Sequence, residues 1–586
     1  MFARLSKGLS RLRRRLSRSE SVIRWLGLSR SAGTADEPGL VLIQIDGLSQ
    51  TQLERAIKRR RMPLVRKLIR KRGYAVHTMY SGIPSTTPAV QGELFYGVKC
   101  AVPAFSYRDP TTGQIIRMFD CQPAAKVQDR LAGEGEGLLA GGSAYANIYS
   151  GGAAEPRFCA ATMGWSSVKH AVNPLVLASI IFWHSWSIVR MLVLVVLELG
   201  IAVGDLFRGR FRRRDFWQEV KFIPTRVAIN IGLREMVTAG AVVDVTRGLP
   251  VVQVNLLGYD EQSHLRGPSS AFAHWTLKGI DDAIKRIWVA ARKSQRRRYS
   301  LWIYSDHGQE KTTPYQYKFG RTVQQAIAEV FGQDVVTEPS NKQFAAGRRE
   351  SGRAQWLGGR AGRHLGRAAK KTPQYRVAAP LLDGVQQHGP AVEVVSLGPL
   401  GHVYPGESLE PQRLEAIAER LVHAAGIPMV LASTGPDGAR AWTKRGMFDL
   451  PADAAKVLGP DHPFLDEAVR DLVCLCNHPG AGVLVIVGWD WQRGPISFAV
   501  ENGAHAGPGT EETRAFALLP SDAPLDRGAQ RGYLRPLDLR RAALRQLGRE
   551  VRGEAEIQTP AHTLARAEQN GHAPAAAEAP ASAAPR

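Results

Sequence analysis

The sequence has little cysteine, few acidic residues for its number of basic ones, and no apolar stretch free of polar interruptions near its start. Five cysteines are too few and too scattered for a disulfide framework; they are Cys100, Cys121, Cys159, Cys474 and Cys476. No uninterrupted apolar run follows the first basic residues, so a secretory signal is not expected there. The sequence also shows no internal repeat, which argues against a solenoid or other repeat architecture.

The shortage of acidic residues leaves a large positive charge. Lys and Arg number 77 against 53 Asp and Glu, a formal net charge of +24. Such an excess points to polyanionic surroundings, either nucleic acid or an anionic membrane surface. The 586 residues, 44% of them hydrophobic and 8% aromatic, are enough for several buried cores and exclude wholesale disorder.

The first basic segment, residues 4–30, has a helical pattern. Its leucines Leu5, Leu9, Leu12 and Leu16 recur at three- and four-residue spacing on one face of a helix, with arginines around the rest. This pattern predicts an amphipathic basic helix suited to an anionic bilayer. A solvated basic tail is the alternative interpretation.

A second segment, residues 174–204, is apolar apart from His184, Arg190, Glu198 and a few serines, and the polybasic stretch 208–214 follows it. By hydropathy alone the segment resembles a transmembrane helix, although ionisable residues inside it weaken that interpretation.

Three apolar runs that each lead to an acidic residue predict the main fold. They are LVLIQID at 40–46, VVQVNLLGYD at 251–260 and SLWIYSDHG at 300–308, and helical stretches such as 51–72 and 271–293 lie between them. Strands that alternate with helices predict an α/β fold with a doubly wound, mostly parallel sheet and chemistry at the carboxyl ends of its strands.

Metal ligands follow these strands. Asp260 and His264 stand one helical turn apart, and His505 lies in a glycine-rich loop. The candidate ligands are Asp46, Asp260, His264, Asp306, His307 and His505. Carboxylates with imidazoles are ligands for zinc, or for manganese in a harder site, and three per ion would hold two ions. Two ions roughly 3.5–4 Å apart can clamp the attacking and leaving oxygens of a phosphoryl transfer.

A candidate nucleophile lies in the segment 82–97, which reads as a loop running into a helix. A hydroxyl at a helix N-terminus is well placed to meet an anion, and a metal can lower its pKa. The alternative is that Ser85, Thr86 and Thr87 only cap the helix, with Pro88 in its first turn.

Taken in order, these motifs resemble the alkaline phosphatase superfamily, and most closely its type I phosphodiesterase/nucleotide pyrophosphatase branch. The matching motifs are Asp46-Gly47, Thr86-x-Pro88-Ala89, Asp260-x-x-x-His264, Ser305-Asp306-His307-Gly308 and His505. The resemblance implies a central mostly parallel sheet sandwiched by helices and a site with two zinc ions. Asp46, Asp306, His307 and Thr86 would hold one ion, and Asp260, His264 and His505 the other. Thr86 would attack phosphorus and form a phospho-threonine intermediate that is then hydrolysed.

Some features depart from the family pattern or leave alternatives open. No equivalent of the phosphoryl-binding Asn is found around residues 101–110. Thr87 remains an alternative nucleophile, and His402 a rival to His505. Cys474, Cys476 and His478 could form a soft metal site, although we expect a Cys-x-Cys strand that packs inward or lies idle. The nucleophile position lacks the Cys/Ser-x-Pro-x-Arg motif of sulfatases, and a phosphate-binding Arg is also absent there, which favours diesters or pyrophosphates over monoesters.

The order of the motifs constrains the apolar segment. Asp46 and Thr86 precede residues 174–204 and the other candidate ligands follow them, so a single span would divide the site between two sides of a bilayer. Two spans need roughly 40 residues plus a turn, more than this segment provides. We therefore expect it to dip into one leaflet or to be buried in the protein, and we expect association with an anionic membrane at its cytoplasmic face.

The sequence thus predicts a membrane-associated phosphodiesterase or pyrophosphatase. The alternatives are a phosphomonoesterase of the same superfamily and a non-catalytic membrane-associated binding protein; a nucleic-acid partner is not expected, because no basic-aromatic platform is evident. The expected parts are a basic segment (1–36), three pieces of catalytic domain (37–165, 216–340, 481–550), an apolar helical insertion (166–215), a basic insertion and cap region (341–480) and an Ala/Pro-rich disordered tail (551–586).

Overall fold

The structure is a computed structural model, and it describes part of the chain. The described residues are 27–31, 33–162, 228–332, 392–526 and 531–551, together with positions 23, 193, 196 and 200. Four sequence-based predictions therefore fall mostly or wholly outside the described residues: the amphipathic helix at 4–30, the apolar segment 174–204 with the polybasic stretch 208–214, the basic insertion 343–371 and the C-terminal tail. None of the helices within the described ranges is both long and apolar enough to cross a membrane.

A seven-stranded sheet forms the centre of the molecule. Its strands are β1 (Pro38–Ile45), β2 (Tyr74–Tyr80), β5 (Ser143–Tyr145), β6 (Glu155–Arg157), β7 (Val251–Leu256), β8 (Arg298–Tyr304) and β19 (Arg514–Pro520). They lie in the order β2-β19-β8-β1-β7-β5-β6. All neighbours from β8 to β6 run parallel, and only β19 runs antiparallel to its neighbours β8 and β2.

The three apolar runs that lead to acidic residues are indeed the inner strands of this sheet. In β1 every residue except the first, Pro38, is buried, and β7 is buried along its whole length. Continuous apolar sequence is what a parallel strand needs when helices cover both faces of its sheet. The predicted α/β class with a mostly parallel central sheet is confirmed.

Helices pack on both faces of the sheet. They are α1 (Gln50–Lys58), α2 (Pro63–Lys71), α3 (Thr87–Tyr96), α4 (Cys121–Glu134), α5 (Arg234–Arg247), α6 (Gly258–Arg266), α7 (Ala271–Lys293) and α13 (Pro536–Gln546). Helix α7 contacts β1, β8, α2 and α5 on one face, and α13 contacts β1 and α3 on the other.

The helical stretch expected at 51–72 is divided into two helices. Helix α1 ends at Lys58, and α2 begins with Pro63, whose fixed φ and missing N–H suit the first turn of a new helix. The stretch expected at 271–293 is one helix, capped by the side chain of Ser270.

A second, six-stranded sheet is built from residues between 393 and 487. Its strands are β11 (Glu393–Leu397), β12 (Leu400–Tyr404), β13 (Met429–Gly435), β14 (Gly438–Thr443), β15 (Gly446–Leu450) and β16 (Leu484–Val487), in the order β11-β12-β16-β13-β14-β15. All its pairs are antiparallel. The helices of this region are α10 (Pro411–His423), α11 (Ala454–Leu458) and α12 (Leu465–Cys476).

The remaining elements are short. They are the hairpin β3 (Ser106–Arg108) and β4 (Ile115–Arg117), the two-residue strands β9 (Glu310–Lys311), β10 (Thr313–Pro314), β17 (Ile496–Ser497) and β18 (Gly503–Ala504), and helices α8 (Tyr315–Phe319) and α9 (Val323–Val330). The antiparallel pair β9 and β18 ties the chain after β8 to the loop that carries His505.

Candidate metal centre

The candidate ligands meet at the carboxyl end of three adjacent strands. Asp46 directly follows β1, Asp260 lies in the first turn of α6 after β7, and Asp306 and His307 follow β8. Because β8, β1 and β7 are parallel neighbours, their ends bring these side chains to one edge of the sheet. The site therefore joins residues from before and after the undescribed segment 163–192.

Asp46, Asp306 and His307 form one group of potential ligands, and all three are buried. One ligand atom from each lies within 4.8 Å of the others. The Nε2 of His307 is 3.6 Å from Asp46 Oδ1 and 3.4 Å from Asp306 Oδ2. Burial raises the pKa of Asp306, and the carboxylate of Asp260 raises it further while His307 opposes the shift. A cation between these groups would favour the ionised carboxylate.

Asp260, His307 and His505 form a second buried group, again within 4.8 Å of one another. His505 Nε2 is 3.9 Å from Asp260 Oδ1, and His264 Nε2 is 3.3 Å from the same oxygen. All six residues expected as ligands thus lie together. His307, which the resemblance assigns to the first ion alone, stands by distance between both groups.

The three histidines are held in the same way, each with Nδ1 against a backbone carbonyl oxygen. The Nδ1 atoms of His264, His307 and His505 are 2.9, 2.8 and 2.8 Å from the backbone carbonyls of Gly503, Gly308 and Ser85. A backbone carbonyl accepts a hydrogen bond from Nδ1–H, which leaves Nε2 unprotonated with its lone pair directed into the site. This is the tautomer that a histidine needs in order to bind a metal through Nε2.

Further polar residues support the ligands, and sequence reasoning missed them. Asn255 Nδ2 donates to Asp46 Oδ2 at 2.9 Å, and Gln309 Nε2 donates to Asp260 Oδ1 at 2.5 Å. Glu501 Oε2 is 3.1 Å from His264 Nδ1. Asn255 and Gln309 stand next to the recognised motifs, so their position was the available signal. Glu501 gave none, because its contact joins distant parts of the chain.

Glycines after the ligands allow the backbones to approach. Gly47 has a φ of +72°, and a Cβ there would lie 2.6 Å from Asp260 Oδ1. A Cβ on Gly308 would lie 2.1 Å from the carbonyl oxygen of Glu511. Both glycines of the Asp-Gly and Asp-His-Gly motifs are therefore required by the packing around the site.

Thr86 lies at the N-terminus of α3, between two residues that contact the ligands. The carbonyl of Ser85 meets His505 Nδ1, and Thr87 Oγ1 is 3.5 Å from His307 Nε2. Thr86 occupies the N-cap position, yet its side chain makes no capping hydrogen bond. Its Oγ1 is buried and has no hydrogen-bond partner among the described residues. A capping role alone does not explain this hydroxyl, whereas a ligand or substrate at the site would use it.

His402, the rival to His505 as a metal ligand, lies away from both groups of ligands. His402 is in the second sheet, where Nδ1 accepts a hydrogen bond from Gly482 N at 3.1 Å and Nε2 faces the carbonyl of Pro103 at 3.3 Å. Burial lowers the pKa of His402 to about 4. Both of its ring nitrogens are therefore engaged, and it belongs to neither group of ligands.

The expectation of a Cys-x-Cys strand is wrong, since Cys474 and Cys476 are in the last turn of helix α12. Leu472, Leu475 and Cys476 face inward at helical spacing. The sequence LDEAVRDLVCLC fits an amphipathic helix, and the period of 3.6 prevails over the β-like alternation of its last four residues.

The residues present fit a pair of divalent cations. Three carboxylates buried within a few ångströms of one another repel unless positive charge compensates them. Three imidazoles present Nε2 to the same space, and the orphaned Thr86 hydroxyl adds an oxygen. Carboxylate, imidazole and alkoxide oxygen together form a donor set for zinc or a metal of similar preference.

A mostly parallel sheet sandwiched by helices, with such a centre at the carboxyl ends of its strands, has the alkaline phosphatase-like fold and defines a hydrolase of phosphoric esters. The sequence profile described as type I phosphodiesterase / nucleotide pyrophosphatase matches residues 40–355, more than half of the chain. The chain belongs to this family, whose members depend on metal ions.

Two solved structures of phosphonoacetate hydrolase from Sinorhizobium meliloti 1021, one in complex with phosphonoformate and one with phosphonoacetate, are also similar to the chain. Each is 14% identical, covers 89% of this chain and 99% of its own chain, and has a TM-score of 0.40. The comparison with curated proteins found no match.

Proposed function

We propose that the protein is a two-metal phosphodiesterase or pyrophosphatase in which Thr86 is the nucleophile. The observation that carries this proposal is the buried Thr86 Oγ1, which has no hydrogen-bond partner in the described part of the chain and lies between residues that contact His505 and His307. A hydroxyl kept free at a helix N-terminus beside a metal centre is suited to attack.

Asp46, Asp306, His307 and Thr86 would hold one ion, and Asp260, His264 and His505 the other. The ion we propose is Zn²⁺, because the donor set mixes carboxylates with imidazoles. When bound, the ions neutralise charge on the phosphoryl group and favour ionisation of the attacking hydroxyl.

The chain itself supplies the nucleophile and its position. Thr86 Oγ loses its proton to solvent and attacks phosphorus, the bond to the leaving-group oxygen breaks, and that oxygen departs with the electron pair and takes up a proton from solvent. Water then attacks phosphorus of the phospho-threonine, and the bond to Thr86 Oγ breaks to restore the hydroxyl. The N-terminus of α3 directs backbone N–H groups toward the transferred group.

The substrate class follows from the charge around the nucleophile. A monoester carries one more negative charge than a diester and is usually met by an additional cation. The helix start Thr86-Thr87-Pro88-Ala89-Val90 contains no Arg or Lys. We therefore propose a diester or pyrophosphate as substrate and keep a phosphomonoester as the alternative.

We also propose that the enzyme works at the cytoplasmic face of an anionic membrane. The basic amphipathic pattern at 4–30 and the apolar segment 174–204 with its polybasic neighbour support this, as does the net charge of +24. Phospholipid headgroups and lipid-linked pyrophosphates are accordingly the substrate classes to test first.

The experiment compares hydrolysis of bis(p-nitrophenyl) phosphate and p-nitrophenyl phosphate by the zinc-supplemented wild type, Thr86→Ala and Thr87→Ala. We expect diester turnover to exceed monoester turnover, to vanish in Thr86→Ala and to persist in Thr87→Ala. Loss only in Thr87→Ala would move the nucleophile by one residue, and faster monoester turnover would favour a phosphomonoesterase. No turnover of either substrate with metal bound would favour the non-catalytic binding protein.

A further inference from the structure

The helices α1 and α2 carry an unusual concentration of positive charge. Residues 55–72 contain ten basic residues and no Asp or Glu. We call these ten residues the basic flank: Arg55, Lys58, Arg59, Arg60, Arg61, Arg66, Lys67, Arg70, Lys71 and Arg72. This segment lies in the folded core region and is separate from the basic stretches at 4–30 and 208–214.

The charges of the basic flank point to solvent. Eight of the ten residues are exposed, and only Arg61 and Arg66 are half-buried. The apolar residues Leu53, Leu64 and Leu68 of the same two helices are buried in the core. The helices are thus amphipathic, with their apolar sides used for folding and their basic sides unused by it.

The basic flank has no acidic partners. Within the described ranges of the chain, no carboxylate lies within 4.0 Å of any of its ten cationic groups. Two buried arginines elsewhere show the contrast: Arg247 contacts Asp244 and Glu155, and Arg535 contacts Glu93 and Asp471. Ten like charges without counter-charges repel one another, so they do not stabilise the described part of the fold as ion pairs, although Arg72 lies over the ring of Trp288 at 5.8 Å from its centroid. A polyanion outside the fold would neutralise the repulsion.

The flank is held rigidly. Both carboxylate oxygens of Asp281, in α7, accept hydrogen bonds from the first turn of α2, from Leu64 N at 2.9 Å and Val65 N at 3.1 Å. His274, in the same helix, has a pKa lowered to about 4 by burial and by the nearby Arg59, Arg55 and Arg61. These arginines therefore act together as one positive field at a fixed place on the surface.

The chemistry of the flank selects its partner. Proteins that bind single-stranded nucleic acid interleave aromatic residues, on which bases stack, with basic ones. Residues 55–72 include no aromatic side chain. An array of Lys and Arg alone recognises phosphate and carboxylate groups presented densely on a surface, as anionic lipid headgroups are.

We propose that the basic flank is a docking surface for an anionic lipid bilayer. This proposal rests on the membrane association proposed above. It adds that the folded domain, and not only the segments 4–30 and 174–204, contributes to membrane binding. Helix α1 begins shortly after Asp46, and its N-cap residue Ser49 donates a hydrogen bond to Glu511 beside the His505 loop. Docking on this flank would bring one wall of the metal centre close to the headgroups, where a lipid-borne phosphodiester is available.

The test uses two full-length variants that each lose four positive charges. The flank variant carries Lys58→Gln, Lys67→Gln, Arg70→Gln and Lys71→Gln. The matched control carries four substitutions of exposed residues in the second-sheet region: Arg413→Gln, Arg420→Gln, Lys444→Gln and Lys456→Gln. Thermal melting and diester hydrolysis without vesicles verify that both variants are folded and active.

Binding is measured by co-sedimentation with vesicles of phosphatidylcholine alone or with about one third phosphatidylserine. We expect the flank variant to bind the phosphatidylserine vesicles at least about tenfold more weakly than the wild type, because each Lys or Arg near such a surface adds to the electrostatic attraction. The control should stay within about threefold, and wild-type binding should fall as salt rises.

Four results would overturn the proposal. Equal weakening in both variants would mean that only net charge matters, and unchanged binding of the flank variant would show that the flank is not used. Preference of the wild type for duplex DNA over vesicles, lost in the flank variant, would make the partner a nucleic acid. If the wild type binds no vesicles at all, the proposed membrane association fails too, while the vesicle-free hydrolysis assay judges the catalytic proposal separately.

Discussion

The imidazole ring of His307 lies face to face with that of His505, with ring centroids 3.8 Å apart and planes 18° from parallel. His307 comes from the end of β8, and His505 from a loop that the short pair β9 and β18 holds in place. The stacking brings His307 Nε2 within reach of both groups of carboxylates, so this histidine connects the two proposed cation positions.

This geometry predicts different metal contents for two histidine variants. His307→Ala should lower the affinity for both ions, whereas His264→Ala should weaken mainly the one beside Asp260, since His264 Nε2 lies 3.3 Å from Asp260 Oδ1. Metal content by mass spectrometry after dialysis, with zinc titration calorimetry, measures the effect; we expect close to no retained zinc for His307→Ala and about one ion for His264→Ala. His402→Gln is the control, and equal losses in both variants would contradict the shared position of His307.

The sequence could predict the inner strands and the place of the three aspartates at their ends because both are encoded locally. A buried parallel strand needs a continuous apolar run, and Asp46, Asp260 and Asp306 follow such runs directly. The residues that hold the ligands and the nucleophile loop in place could not be predicted in this way. Glu501 contacts His264, and Asp471 contacts Ile83, across hundreds of residues of sequence. No short-range pattern marks such contacts, which exist only after the chain has folded.

If Thr86 is the nucleophile, a phospho-threonine intermediate forms during turnover and can be trapped. Acid quenching of wild type during turnover of a diester should leave phosphate on Thr86, detectable by peptide mass spectrometry, and Thr86→Ala should lower turnover at least about 10³-fold. Thr86→Ser keeps a hydroxyl at the same place and should retain part of the activity and the label. Label on Thr87 in the wild type, or undiminished turnover by Thr86→Ala, would contradict the assignment.

A buried ion network behind the nucleophile loop predicts a large effect on stability. Arg535 donates to Glu93 in α3 and to Asp471 in α12, both at 3.2 Å, and also contacts Glu467. Asp471 in turn accepts from Ile83 N at 3.2 Å, in the loop that leads to Thr86. Arg535→Ala removes the guanidinium that pairs with the buried carboxylates of Glu93 and Asp471, while Glu467 keeps its ion pair with Arg531. We therefore expect the substitution to lower the free energy of unfolding by about 3–5 kcal/mol.

Urea unfolding measures that loss, and the exposed ion pair of the second sheet provides the control. Arg440 Nε lies 2.8 Å from Asp449 Oδ1 at the surface, and Arg440→Ala should cost less than about 1 kcal/mol. The two substitutions remove the same side chain, so similar losses would show that the buried network does not stabilise the fold beyond an ordinary surface pair.

The buried His402 predicts how stability depends on pH. Burial lowers its pKa from 6.5 to about 4, so in the folded protein the ring stays neutral where the unfolded chain already binds a proton. The contribution of the neutral His402 ring to the free energy of unfolding is therefore complete above about pH 6.5. It is lost as the pH falls toward about 4, which lowers the free energy of unfolding by up to about 3 kcal/mol. His402→Gln cannot take up this proton, so its free energy of unfolding, measured in urea from pH 7.5 down to 4.5, should fall less steeply than that of the wild type. The exposed His423→Gln should keep the wild-type slope. If His402→Gln keeps it as well, the ring of His402 is not the neutral, buried group that its contacts with Gly482 and Pro103 indicate, and its exclusion as a metal ligand would have to be reconsidered.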